Sequence, residues 1–284
     1  MIEAKVIADS VNQEGKRITT MQVKFHRFIL PEFNTHRVFS RNFSSSRAIP
    51  TKKLLEQVKT DPAMPVHWGK NQAGMQAWEE LGEPQKSAAR ESWIAAAHEA
   101  ARRADVLAQI GTHKQIVNRI IEPFLWANGI VTSTEWDNWF DLRAHEDAQP
   151  EIHELAIRMR EAMEGSTPQL LQVGEWHLPY ILDHEKADGF FKKQENRDLL
   201  IKISAARCCR VSYLKHDGQM PNIDEDLALF ERLAGAVPLH ASPLEHQATP
   251  FPDEIHVDGS LSGNFKGWIQ YRKIWEKEIY SKGN

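Results

Sequence analysis

Two runs rich in β-branched and apolar residues, 3–9 and 18–30 (ITTMQVKFHRFIL), stand either side of a glycine-bearing stretch at 12–16. That pattern specifies a hairpin, or two sheet strands joined by a turn. The following chain reads differently. Residues 51–59 form a short helix, and 62–74 carry Pro, Gly and Asn and read as a loop. Residues 87–110 are rich in Ala and long straight side chains and form a helix that Gly111 ends. A second helix is expected over 112–126, with Ile116, Ile120 and Phe124 on one stripe. Thr132 and Glu135 then have the spacing of a capping box, opening a helix that carries Trp136, Trp139, Phe140 and Arg143 on one side. Residues 147–164 follow as a helix with Ile152, Leu155, Met159 and Met163 inward. After a mixed connection at 165–189, helices are expected at 197–209, 224–235 and over the C-terminal GNFKGWIQYRKIWEKEIY. The expected class is α+β: an antiparallel-type sheet with a helical bundle region.

The 284 residues suffice for one large domain or two modest ones, and one domain over 1–284 is the reading adopted. Its parts are a strand and helix segment at 1–60, a helical segment at 87–164 and a C-terminal segment at 197–284. With 41% hydrophobic residues, nine Trp and twelve Phe, a sizeable core is available. A net charge of −4 argues against a partner of bulk nucleic acid. No run approaches the roughly 18 apolar residues of a membrane span, so no membrane is expected. The N-terminus MIEAKVIADS lacks a basic region and a long apolar run, and cysteine use is low, so a cytoplasmic location is expected.

Common catalytic signatures are missing. There is no GxGxxG, no GxxxxGK[ST], no HExxH and no GxSxG. The scattered His lack metal-ligand spacing, and no metal is expected. Cys208 and Cys209 are adjacent, with arginines near, which could lower a thiol pKa; a buried helical Cys is the preferred reading.

One stretch is chemically dense. THRVFSRNFSSSR, residues 35–47, holds five hydroxyl side chains, four basic residues counting His36, and no acid. Guanidinium forks and short hydroxyls suit a phosphate. A solvated loop, a nucleic-acid patch and a small-anion pocket all remain open on these residues alone. Phe33, Phe39 and Phe43 could equally be core positions.

From His36 to Arg47 this stretch resembles the signature of flavin-dependent thymidylate synthases, Arg-His-Arg-x-x-Ser-x-Asn-x-x-Ser-x-Arg. Residues 118–152 resemble the family's central helices, with Arg119, Asn138, Arg143, Gln149 and Glu151 at matching positions. CRVSYLKHDG and LHASPLEHQATPF, from Cys209 and Leu239, resemble its Ala-Arg-x-Ser and Gly-His-x-[Ser/Thr]-x-x-Glu-His segments. In the family those segments precede the Arg-rich signature; here they follow it, as in a circularly permuted or rearranged relative. Residues 54–85 and 165–195 have no counterpart.

The resemblance implies conversion of dUMP to dTMP, with methylene-tetrahydrofolate as carbon donor and FAD, reduced by NADPH, as hydride source. It implies a homotetramer, no nucleophilic cysteine, and catalysis by placement. Glu32, Ser45, Arg47, Arg119 and Arg143 fall at nucleotide positions, Ser45 and Arg143 also in catalytic roles. His36, Arg37, Asn138, Ser212, His240 and Ser242 fall at flavin positions. Local roles also fit: Arg143 could pair with Glu146 or Asp147, Asn138 could cap locally, and His240 and His246 could order a Pro-rich turn. The pattern breaks at Glu32 for Gln, Thr35 for Arg, Phe43 for Glu, Ala48 for Tyr, and Thr132 and Thr134 for Asn and Arg. Lys266, Arg272 and Lys273 are candidates to restore the missing charge. Two further readings stand beside this one. The first is a different C5 modification, such as the hydroxymethylation of dUMP or dCMP used in phage-type nucleotide metabolism. The second is a non-catalytic nucleotide or nucleic-acid binding module.

Overall fold

The computed structural model describes residues 1–193, 196–214, 219–236, 238–252 and 259–282. The hairpin forms as expected: β1 (Glu3–Val11) and β2 (Arg17–His26) pair antiparallel, with a bulge between Val6 and Ala8. A helical turn, α1 (Leu30–Phe33), leads to β3 (Ser40–Phe43), then to α2 (Thr51–Thr60) and the long α3 (Glu83–Gln109). Next come α4 (Lys114–Val117), β4 (Trp126–Ser133), α5 (Asp137–Arg143) and α6 (Pro150–Glu164). A short β5 (Gln169–Leu170) completes a five-stranded sheet of order β3-β4-β2-β1-β5, antiparallel except where β1 meets β5. The C-terminal part holds α7 (Asp183–Ala187), α8 (Gly189–Lys192), α9 (Arg197–Arg210) and α10 (Ile223–Ala234). It ends with β6 (Ala248–Pro250), β7 (Trp268–Gln270) and α11 (Tyr271–Lys282). The α+β class is therefore observed. Among the described residues no helix is long and apolar enough to cross a membrane.

Three sequence expectations are corrected. The helix over 112–126 is a single turn, α4, followed by a 3-10 turn at Glu122–Phe124 and the strand β4. Pro123 removes an amide donor from the expected helix, and Ile116 and Ile120 are exposed while Val117 and Ile121 are buried. The run from Trp126 onward pairs on both edges, with β2 and with β3. Gly129 permits that: a Cβ there would lie 2.2 Å from the Phe43 ring. The capping box at Thr132 does not form, because Thr132 is a buried strand residue. Instead Glu135 N–H donates to Ser133 Oγ at 3.0 Å, and α5 opens two residues later. The C-terminal helix begins only at Tyr271, after β7 has paired with β6.

The sheet has two unlike faces. Met21, Val23, Phe25, Ala127 and Val131 point one way and pack against Ile152, Leu155, Ala156 and Met159 of α6 and against Trp136 and Trp139. On the other face, between the apolar Ile18 and Ile130, runs a row of hydroxyls. Thr20 on β2 stands opposite Thr132 on β4, and Thr132 stands opposite Ser40 on β3. This polar face would be costly to bury without partners, and the C-terminal segment supplies them. Ser10 Oγ bonds His177 Nδ1 at 2.9 Å, and His177 Nε2 bonds Thr20 Oγ1 at 2.8 Å. Thr20 and Thr132 hydroxyls meet at 2.7 Å, and Thr132 Oγ1 bonds His246 Nδ1 at 2.8 Å. One direction of donation satisfies all four links. Gln270 extends the row by donating to Ser40 Oγ at 3.1 Å.

Beyond this interface lies a second core of α9, α10 and α11, including Ile203, Phe230 and Tyr271. Arg207 ties it together, fully buried, with bidentate bonds to Glu185 at 2.7 Å and a bond from Nε to Asp226 at 2.9 Å. Val211, at φ 56, ends α9 in a left-handed conformation unusual for a β-branched residue. Its N–H donates to Cys208 O at 3.1 Å.

Thr132→Val removes one hydroxyl and leaves Thr20 and His246 each short of a buried partner. We expect a loss of about 2–4 kcal/mol, read as the shift in urea midpoint. Acid acts on the same row. Burial holds His177 and His246 neutral, with pKa values pushed down to about 3 from 6.5. Between those values the unfolded chain binds two protons more than the folded chain. Stability is thus complete above about pH 6.5 and falls as pH drops, by roughly 2.7 kcal/mol per pH unit, levelling off near pH 3. Urea midpoints that coincide at pH 7 and pH 5 would contradict this.

Candidate functional site

The signature stretch lies on β3 and its two flanking loops, and the structure gives its residues different tasks. Phe33 and Phe39 are core residues, ring-packed with Trp139, and Phe43 packs edge-on against Phe25 and Phe33. Arg41 faces backbone: its guanidinium donates to the carbonyls of His36 at 2.9 Å, Phe39 at 3.1 Å and Asn34 at 3.1 Å. It therefore staples the turn that presents His36 and Arg37.

His36 is buried edge-on against Trp139, ring centroids 4.8 Å apart. Burial, with Arg143 and Arg41 nearby, pushes its pKa down to about 4. It is neutral at pH 7, and its Nε2 accepts from Arg143 Nε at 3.0 Å, so the ring proton sits on Nδ1. Arg143, at the C-terminal end of α5, is thus aligned by His36 and does not pair with Glu146 or Asp147. Its terminal nitrogens make no hydrogen bond or ion pair among the described residues.

Arg143 lines a cleft of about 990 Å³ together with Glu32, Phe28, Trp78 and Glu151. One wall is the loop from Pro65 to Trp78, part of the Pro-, Gly- and Asn-bearing stretch expected to be a loop. Glu151 is buried and accepts from Val66 N–H at 2.9 Å, which fastens this wall to α6. Gln149 bonds Glu151 and also accepts from Ile152 N–H at 3.1 Å, capping α6. The Glu32 side chain has no partner among the described residues.

Asn42 joins the two halves of the chain. Its amide donates to Cys208 O at 2.9 Å, and its oxygen accepts from Ser242 Oγ at 3.1 Å. The segments that resemble the family's earlier motifs are therefore docked against the signature strand, despite following it in the chain. Burial pushes the Cys208 thiol well above its ordinary pKa and raises Cys209 as well, so neither is poised as a thiolate.

Other candidates stand apart. Ser45 and Arg47 are exposed on the loop after β3, where Ser45 Oγ accepts from Arg47 N–H at 3.3 Å. Behind them Ser46, Arg119 and Arg27 converge on Glu122 at 2.8, 2.9 and 3.2 Å. Burial alone would raise the Glu122 carboxyl, but these three partners hold it below its usual range. Asn138 and His240 are exposed, and Ser212 accepts from Leu214 N–H at 2.9 Å just past α9. Arg37 lies in a second cleft with Lys266. Arg272 and Lys273, offered as replacement cations, are held by Glu245 and Glu276. One chain therefore places Glu32 and Arg143 on one cleft, with His36 behind Arg143, and Asn42 with Ser242 beside β3. It leaves Ser45, Arg47, Asn138 and His240 facing outward.

The family model described as "Thymidylate synthase complementing protein" matches residues 17–169, more than half of the chain. This chain belongs to that family. The matched region spans the signature, Arg119, Asn138 and Arg143, and stops before the C-terminal segment. Two similar solved structures are of a UMP/dUMP methylase, PolB, from Streptomyces cacaoi. The form bound with 5-Br UMP is 14% identical, with TM-score 0.48, covering 57% of this chain and 88% of that chain. The form bound with 5-Br dUMP is 13% identical, with TM-score 0.47, covering 57% and 90%. No curated protein matches.

Proposed function

We propose that the chain is a flavin-dependent methyltransferase converting dUMP to dTMP, with methylene-tetrahydrofolate as carbon donor and NADPH-reduced FAD as hydride source. Family membership supports an enzyme of the thymidylate synthase type. The observation that carries the site is Arg143, aligned by neutral His36 and with its terminal nitrogens unpaired among the described residues, in a cleft of nucleotide size. In this reading the pyrimidine enters that cleft. Arg143 holds a ring carbonyl and stabilises the negative charge that grows there as C5 is activated. His36 keeps the guanidinium in one orientation without adding charge. Phe28 and Trp78 exclude water from the base. Ser45, Arg47 and Arg119 take the phosphate, and in a homotetramer a neighbouring copy's cleft meets that exposed loop. The residues present fit a flavin: Arg37 offers a guanidinium, unpaired among the described residues, beside Lys266 in the second cleft. Bound there, the flavin would supply the hydride that the side chains cannot. Asn138, Ser212, His240 and Ser242 complete its contacts, and the C-terminal segment stands in for the family's leading one.

The purified protein is expected to be yellow or to take up FAD, and to turn over dUMP. A colourless protein that cannot be reconstituted would favour the non-catalytic binding module. Arg143→Ala should lower kcat by about 10²–10³-fold while leaving the thermal midpoint unchanged; retained turnover would refute its role.

Glu32 favours a second reading. An unpartnered carboxylate in the cleft can accept from the exocyclic amine of cytosine, where uracil presents another acceptor. Turnover of dCMP in preference to dUMP, reversed by Glu32→Gln, would establish it; unchanged selectivity in that variant would exclude it.

A further inference from the structure

Glu122 stands in the 3-10 turn Glu122–Phe124, between α4 and β4. One of its oxygens, Oε1, collects three donors: Ser46 Oγ at 2.8 Å, Arg119 Nη1 at 2.9 Å and Arg27 Nη2 at 3.2 Å. We propose that this carboxylate is a stand-in for the substrate's phosphate. It holds two guanidinium groups and a hydroxyl in the unliganded protein and yields them to a nucleotide monophosphate. Arg27 and Ser46 thereby join Ser45, Arg47 and Arg119 as phosphate ligands, an assignment that rests on the phosphate reading above. Glu122 is then the residue that keeps free anions out.

The donors are set before any ligand arrives. Ser46 is buried, and its carbonyl accepts from Asn118 Nδ2 at 2.7 Å. Thr51 Oγ1 donates to Asn118 Oδ1 at 2.8 Å, and Lys114 Nζ donates to Ala48 O at 3.1 Å. The loop that carries Ser45 and Arg47 is thus fastened to α4, just before Arg119. Arg27 follows β2 directly, and its N–H donates to Leu125 O at 2.9 Å. Three separate segments therefore aim a donor at one oxygen, as guanidinium forks and a hydroxyl meet a phosphate oxygen. The Glu122 side chain is 24% exposed, so its carboxylate can turn to water without unfolding the turn that carries it.

The exchange favours one class of anion. A phosphate monoester carries about −1.5 to −2 charge and three acceptor oxygens, whereas Glu122 offers a single charge and two oxygens. The monoester therefore binds Arg27, Arg47 and Arg119 better than the carboxylate does. Displacement still has a cost, because Glu122 must turn away and its charge stays near the incoming anion. A nucleotide offsets that cost with the contacts of its base, whose tether raises the effective concentration of the phosphate at the loop. Inorganic phosphate brings no such contacts and meets a site already filled, which lowers its apparent affinity. The same donors without Glu122 would form an open trap for any small anion.

Titration calorimetry of the full chain with dUMP, deoxyuridine and inorganic phosphate reads this exchange. Wild type is expected to bind dUMP and to bind inorganic phosphate far more weakly. Glu122→Gln keeps the side chain's shape and should tighten both phosphate ligands roughly ten- to a hundredfold, leaving deoxyuridine, which has no phosphate, unchanged. Arg27→Ala should weaken dUMP about tenfold, again with deoxyuridine unchanged. A carboxylate that only braces the turn predicts otherwise: Glu122→Gln would lower the thermal midpoint and weaken dUMP or leave it as it is. Either of those affinities overturns the proposal, and so does an Arg27→Ala variant that binds dUMP as wild type does. The Arg27 arm decides the matter even where Glu122→Gln fails to fold. Arg47→Ala separates this proposal from the reading beneath it. If that variant weakens dUMP while Glu122→Gln tightens nothing, only the stand-in role falls. Affinity for dUMP that is indifferent to substitution of Arg47, Arg119 and Glu122 removes the phosphate reading as well.

Discussion

The chain of hydrogen bonds from Ser10 through His177, Thr20 and Thr132 to His246 is what couples the two halves of this molecule. It is buried throughout, so each member depends on the next: removing one leaves a desolvated donor or acceptor behind. The sheet's other face is an ordinary apolar core and could be covered by α6 in the usual way. The hydroxyl-bearing face could not be covered by apolar residues without heavy cost. The segment carrying His177, His246 and Gln270 meets it because its polar atoms match the row, and neutral histidines allow this without burying a charge.

The site inherits its geometry from that match. With the C-terminal segment in register, Asn42 can bridge Cys208 and Ser242, and Ser40 can receive Gln270. Those contacts fix β3, and β3 carries Arg41, which pins the turn holding His36. His36 in turn aligns Arg143. Strand pairing between β3 and β4, followed by the Arg41 and His36 hydrogen bonds, thus relates the buried row to the guanidinium at the large cleft. Each link is modest, about 1 kcal/mol when neutral, but burial makes each one directional.

The sequence revealed some of this and concealed the rest for identifiable reasons. β1 and β2 were legible because β-branched runs flank a glycine turn, and α6 because four apolar residues recur at helical spacing. β4 was not: Ile116, Ile120 and Phe124 mimic a helical stripe, and only pairing on both edges settles the strand that follows. Arg37, Asn42 and Arg47 stand out in the sequence because the signature motif is local. That Arg41 would bond backbone, and that Asn42 would reach residues more than 160 positions away, depends on tertiary closure that no local pattern encodes. The loop walling the large cleft and the role of His177 carried no signal, since a lone His and a Pro- and Gly-bearing stretch fit many settings.

The order of the segments gives the polar row a further significance. Asn42 and Ser242 are 200 residues apart, so their contact closes a very long loop. The entropic penalty of closure grows only slowly with length, as roughly (3/2)RT ln n, and distance alone does not forbid such an arrangement. The greater difficulty is register. A segment docking late on an apolar strand face could settle in several slid positions of similar energy, because dispersion and burial are nondirectional. A row of hydroxyls spaced by strand pairing accepts the two histidines in one position and leaves unpaired polar groups in every other. Where a motif reaches its strand from the far end of the chain, a buried polar row can do what short connections do elsewhere, which is to make one alignment much better than its neighbours.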